Sequence, residues 1–410
     1  MRLRSRLGFT VVAVLLVFAV TAFAADKGEA LRGAAETGDA DAQYNLGVMH
    51  YQGEGVAQDP KQAATWFRKA ADQGHAQAQF ALGLMYDEDK GVAQDHKQAT
   101  AWWRRAADQG HAQAQYNLGL MYYQGKGVAQ NPKQAVAWWR RAADQAFAQA
   151  QYNLGVMHYQ GEGVAQDPKQ AVAWWRRAAD QGHARAQFAL GLMYDEDKGV
   201  AQDHKQATAW WRRAADQGFA MAQYNLGNSY RTGKGLAQDP RQAAAWYRRA
   251  ADQGLAQAQY TLGLMYYQGE GVAKDEQEAV VWYRRAADQG DAQAQFNLGL
   301  MYLNGYGVPQ DDKQAVTWYR RAADQGLAQA QYNLGDSYRT GKGVAQDPKQ
   351  AAAWYRRAAD QGLAQAQFNL GLMYYQGYGV AKDEQEAVAW IRKAANQGLV
   401  QAKAALQKLQ

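Results

Sequence analysis

The chain has 410 residues, a formal net charge of +6 and no cysteine. A disulfide-held core is therefore excluded, and the stability of the chain has to come from packing alone. This length would ordinarily divide into two or three domains, yet an unbroken internal period argues for one elongated stack.

Residues 1–24 read as a leader. Arg2, Arg4 and Arg6 precede an apolar run from Val11 to Val20, and Ala22-Phe23-Ala24 supplies a small-x-small cleavage site. This is the layout of a secretory signal peptide, with cleavage expected after Ala24. The competing reading is an anchor, since Leu7 to Ala24 approaches the ~20 apolar residues of a spanning helix. The short run and the good cleavage site favour removal, so no stable membrane insertion is expected of the mature chain. No cysteine follows the site, which excludes a lipidated N-terminus. Three arginines and no acid leave with the leader, lowering the formal charge from +6 to +3. Nucleic acid is accordingly not an expected partner.

Residues 25–38 read as an N-terminal capping helix. Ala34-Ala35-Glu36-Thr37-Gly38 matches Ala70-Ala71-Asp72-Gln73-Gly74, the end of a repeat.

Residues 39–398 hold ten repeats of 36 residues, without insertion or deletion. Ala42-Gln43-Tyr44-Asn45-Leu46-Gly47 returns at Ala78, Ala114, Ala150, Ala186, Ala222, Ala258, Ala294, Ala330 and Ala366. Within residues 39–74, Asp41 to Gln52 lacks proline and places apolar residues at 42, 46, 49 and 50, a helical spacing. Gly53-Glu54-Gly55 breaks that helix. Asp59-Pro60-Lys61-Gln62 opens a second one: Asp59 suits the cap, Pro60 the first turn, and Gln62 can reach back. Ala63, Trp66, Phe67, Ala70 and Ala71 form its buried stripe, and Gly74 closes it in a left-handed conformation. Ala146 stands where the other repeats have this glycine, so it is expected to hold a positive φ at a cost of roughly 1 kcal/mol. Fourteen tryptophans, one or two per repeat at one buried phase, form an aromatic spine. Such units bury their apolar faces only against neighbours.

A longer period is superimposed. Residues 50–105 nearly recur at 158–213, and 229–285 at 337–393, both offset by 108 residues. Copied blocks of three repeats lengthen a binding surface more readily than they preserve a unique catalytic site. Residues 399–410 read as a C-terminal capping helix, where Gln407 replaces the glycine of Leu-Gly and the pattern turns polar.

The pattern Ala-x-Tyr-Asn-Leu-Gly-x-x-Tyr, then Gly-x-Gly-Val, then Asp-x-x-x-Ala-x-x-Trp-Tyr-x-x-Ala-Ala-x-x-Gly resembles the SEL-like repeat, a relative of the tetratricopeptide repeat. The resemblance covers nearly the whole chain after the leader. It implies an all-α fold, a right-handed α-solenoid, that mediates protein–protein contacts. In exported bacterial members it implies roles in envelope signalling, envelope assembly or host interaction. Some cysteine-rich members are described as β-lactam-binding or hydrolysing; this chain lacks their cysteines, and that activity is not carried over.

Catalytic, metal and cofactor chemistry is not expected. Only Ser229 and Ser337 follow the leader, and neither begins Ser-x-x-Lys. Gly227 to Gly233-Lys234 has the wrong spacing for a phosphate loop. The seven histidines lack the spacing of a zinc site, and His75, His111 and His183 fall in inter-repeat turns. Asp87-Glu88-Asp89 and its copy at 195–197 lack the spaced carboxylates of a calcium loop and read as a solvated helix end. The Arg-Arg pairs, as at Arg104-Arg105, read as solvated outer surface.

By the same resemblance, the first helix of each repeat lines a concave face. Positions 41, 44/45, 48 and 52 share one side of it. The candidate binding residues are Asn45, Asn117, Asn153, Asn225, Asn297, Asn333 and Asn369, whose counterparts in tetratricopeptide proteins grip a peptide backbone, with Tyr51, Tyr123, Arg231 and Arg339. The Asn row equally fits packing against a neighbouring helix. Positions 48 and 51 vary most between repeats, as a binding lining would. The expected protein is a monomeric, periplasmic or secreted scaffold for a protein or peptide. Two alternatives are an enzyme acting on β-lactams and a peptidoglycan or glycan binder using Tyr51, Tyr123, Tyr159, Tyr267 and Tyr375.

Overall fold

The computed structural model describes residues 25–409, so the leader lies outside the described residues. Those residues form 22 helices and no strand, an all-α solenoid. The chain divides into two units, Met1–Ala214 and Ala215–Gln410. Within each, helices pack on their neighbours in sequence.

One repeat shows why. The first helix, Ala40–Gln52, starts where the Asp39 carboxylate accepts the Ala42 amide at 2.7 Å. It ends at Gly53, whose φ of 76° lets its amide close on the Met49 carbonyl at 2.8 Å. The second helix, Pro60–Asp72, starts at Asp59, which takes the amides of Lys61 and Gln62 at 2.9 and 3.1 Å. Gly74, with φ of 94°, ends it, and His75 N–H reaches the Ala70 carbonyl at 3.1 Å. Each end thus satisfies backbone groups that helices leave open. Ala146 keeps the same turn with φ of 62° and Phe147 N–H on the Ala142 carbonyl at 3.1 Å.

Two close approaches set how repeats stack. The glycine of Leu-Gly lies under the second-helix aromatic of its own repeat: a β-carbon on Gly119 would meet Trp139 at 2.5 Å, and one on Gly227 would meet Tyr247 at 2.8 Å. The second loop glycine lies on the preceding repeat, where a β-carbon on Gly91 would sit 2.1 Å from the Pro60 carbonyl oxygen. Small residues at these points let the large ones fill the core. Trp103, Trp139 and Trp175, and Tyr247, Tyr283, Tyr319 and Tyr355, are fully buried at one register. Each such aromatic removes about 150–250 Å² from water.

Polar order runs beside this spine, at positions the sequence pattern did not single out. Gln151 is buried, donates Nε2 to the Ala143 carbonyl at 3.0 Å, and accepts Gln181 Nε2 at 2.7 Å. Gln79 with Gln109, Gln259 with Gln289 and Gln295 with Gln325 repeat the arrangement at 2.7–2.8 Å. The buried amide satisfies an orphan carbonyl at the end of the preceding helix, so a sliding of one repeat past the next would strand it.

Candidate functional site

The face carried by the first helices differs between the units. In the carboxyl-terminal unit it is a half-buried strip: Tyr260, Thr261 and Leu264, then Phe296, Asn297 and Leu300, then Tyr332 and Asn333, then Phe368, Asn369 and Leu372. Asn225 is half-buried there as well. In the amino-terminal unit Asn45 is exposed, whereas Asn117 and Asn153 are buried.

Several of the asparagines lie beside neighbouring phenols. Asn369 Nδ2 donates to the Tyr332 hydroxyl at 3.4 Å. Burial pushes the phenols of Tyr260, Tyr283 and Tyr319 up, and the nearby side chains of Asn297 and Asn333 partly oppose it. Tyr116 is pushed up to about 12 by burial, opposed by Asn153. A side-chain amide has two donors and two acceptor lone pairs. One or two phenol neighbours therefore leave a half-exposed asparagine with capacity to spare.

The residues at position 51 have a second explanation. In several repeats that residue faces the loop residue 39 positions further along. Tyr51 accepts Lys90 Nζ at 3.2 Å, Tyr123 donates to Glu162 at 3.0 Å, and Tyr159 accepts Lys198 Nζ at 3.4 Å. The rings of Tyr267 and Tyr306 lie 6.2 Å apart. Arg231 donates Nε to the Tyr247 hydroxyl at 3.3 Å and feels Glu270 across the same gap. Arg339 binds Asp336 at 2.5 Å and the Tyr355 hydroxyl at 3.2 Å, which holds its guanidinium well above its ordinary value. Several residues at position 51 thus have partners within the chain, a pairing visible in the sequence only as a 39-residue spacing.

The acidic and basic clusters likewise have partners within the chain. Asp87 and Asp195 lie 2.9 Å from the Nδ1 atoms of His96 and His204. Asp89 and Asp197 hold the left-handed loop position with φ of 58° and 56°, which aspartate tolerates. Their carboxylates take the amides of Gln94 and Gln202 at 3.1 Å. The Arg-Arg pairs lie largely exposed, as expected, and make contacts along that surface. Arg104 donates to the Tyr122 hydroxyl of the next repeat, while Arg105 lies 4.4 Å over Trp102; Arg320 and Arg321 treat Tyr338 and Trp318 alike. Ser229 and Ser337 donate to the carbonyls of Asn225 and Asn333 four residues back. Among the described residues no group of three or more His, Cys, Asp or Glu could hold a metal.

A helix pair of 36 residues, with a Gly-x-Gly loop and this aromatic-on-glycine packing, decides the family. The Sel1 repeat model matches ten consecutive segments, residues 40–75, 76–111, 112–147, 148–183, 184–219, 220–255, 256–291, 292–327, 328–363 and 364–399.

The chain belongs to the Sel1 repeat family.

Its structure is similar to that of a protective antigen present in uropathogenic Escherichia coli strains, which displays an SLR fold. The two are 39% identical with a TM-score of 0.83, over 93% of this chain and 82% of that one. A Sel1 repeat protein from Oxalobacter formigenes is 38% identical with a TM-score of 0.60, over 76% of this chain and 90% of its own. A search of curated proteins returns no match. Sel1 repeat proteins are generally protein-interaction scaffolds. No described helix of this member is long and apolar enough to cross a membrane.

Proposed function

We propose that this Sel1 repeat protein is an exported interaction scaffold that holds an extended protein segment along the first helices of its carboxyl-terminal unit. The observation that carries the reading is the half-buried strip from Tyr224 to Leu372, in which one aromatic and one small polar residue, usually asparagine, recur in every repeat. A peptide laid on it would bury apolar side chains between repeats and offer its backbone to Asn225, Asn297, Asn333 and Asn369. The leader pattern of residues 1–24 supports export to the periplasm or beyond, and the serines, engaged with their own helices, give no support to catalysis.

The test is panning of a random-peptide display library against intact protein and against a variant with Asn225, Asn297, Asn333 and Asn369 replaced by Ala. The expected result is a shared peptide motif enriched on the native protein and lost on the variant, with both proteins folded by circular dichroism. Enrichment of the same motif on both would refute a backbone grip by these residues.

A further inference from the structure

The turns between repeats begin the first helices, and in the amino-terminal unit three of them are capped by imidazole. His75 Nδ1 accepts the Ala78 amide at 3.1 Å, His111 Nδ1 the Ala114 amide at 3.3 Å, and His183 Nδ1 the Ala186 amide at 3.2 Å. Each ring also stacks on the preceding first helix: on Tyr44 at 4.8 Å, Phe80 at 4.7 Å and Tyr152 at 4.9 Å. At the same register Asp39 and Asp291 make the same bond with a carboxylate, at 2.7 and 2.8 Å. Leu255, Leu327 and Leu363 occupy it with no side-chain bond at all.

An imidazole accepts a backbone N–H only while the accepting nitrogen carries no proton. A protonated ring would turn a donor, and a positive charge, toward the positive end of the helix dipole. A carboxylate at the same place has the opposite character: it is negative, acceptor-only, and stays ionised well below neutrality. We propose that the three imidazole caps form an acid-sensitive joint series, so that mild acid loosens these inter-repeat turns while the turn capped by Asp291 stays closed.

The surrounding charges grade the effect. His75 Nε2 meets Asp41 of the preceding first helix at 3.0 Å. That position is Gln77 for His111 and Gln149 for His183, so neither has such a partner. Asp72, Asp108 and Asp180, three residues upstream of each cap, are exposed. Arg185, two residues into its helix, opposes charge on His183, as does burial, which is the larger cause; together they push that ring down to about 4. Burial also lowers His111. With folded values below the ordinary 6.5, the unfolded or opened turn takes up the proton first. Cap stability is therefore full above that value and is lost as pH falls toward the folded value.

Hydrogen exchange by mass spectrometry on the full chain tests this at pH 7 and pH 5, corrected for intrinsic rates. The helix start containing Ala186 should lose about tenfold or more in protection at pH 5, the start containing Ala114 should lose protection too, that containing Ala78 less, and that containing Ala294 almost nothing. In His75→Asp/His111→Asp/His183→Asp, a substitution the chain already uses at Asp39 and Asp291, the loss should vanish. The proposal fails if native protection at Ala114 and Ala186 follows that at Ala294, or if the Asp variant shows the same acid loss.

Discussion

The indole of Trp103 lies so close over Gly83 that a β-carbon there would stand 2.4 Å from its Nε1. The same indole donates to the Phe80 carbonyl at 3.2 Å, which keeps the ring from sliding aside. Gly83→Ala should therefore destabilise the protein by about 1–3 kcal/mol, as overpacking does. Gly110, at φ of 92° with open space around it, is the control. Gly110→Ala should cost only roughly 1 kcal/mol through its backbone. Chemical denaturation of both variants checks the order; equal losses would mean that Trp103 moves freely.

The glutamine ladder is expected to behave as a coupled pair. Gln151→Leu strands both the Ala143 carbonyl and the Gln181 amide, at a cost of about 1–3 kcal/mol. Gln181→Ala alone should cost less, because that residue is exposed. A double-mutant cycle should give a non-additive term of at least about 0.5 kcal/mol; additivity would show that the two amides do not act together.

The pairing between position 51 and the following loop predicts which substitutions are tolerated. Glu270→Lys would face Arg231 with a like charge and should lower stability by up to about 1 kcal/mol, less at high salt. Glu270→Tyr would recreate the Arg and Tyr types found at Arg339 and Tyr378, and should be nearly neutral. Thermal melts at low and high salt separate the two.

Alkali should unfold the chain cooperatively. Burial pushes the phenols of Tyr44, Tyr116, Tyr152 and Tyr247 up to about 12. An unfolded phenol ionises near pH 10, so the unfolded state sheds its protons first. Stability is full below pH 10 and falls as pH rises toward 12, each phenol contributing at most about 1.4 kcal/mol per pH unit. Circular dichroism followed from pH 8 to 12 should show a steep loss of helix; a flat signal through pH 12 would contradict the burial of these hydroxyls.

Much of this protein is set by local chemistry. Pro60 after Asp59, Gly53 and Gly55 in the loop, and Gly74 at the turn act within a few residues, so each helix start and stop could be placed from the chain alone. Even the positive φ of Ala146 follows, because a period without insertions forces every repeat through one backbone path. Other features depend on residues up to 39 positions apart. Gln43 looks like any polar helix residue until Ala35 and Gln73 meet it. Tyr123 looks like a free aromatic until Glu162 reaches its hydroxyl, and Arg104 shows no partner until Tyr122 engages it. Asparagines in the same Ala-Gln-Tyr-Asn-Leu-Gly block diverge to the exposed Asn45, the buried Asn117 and the half-buried Asn333. Exposure is a property of what packs around a side chain, and a repeated sequence gives each copy the same neighbours along the chain but not in space.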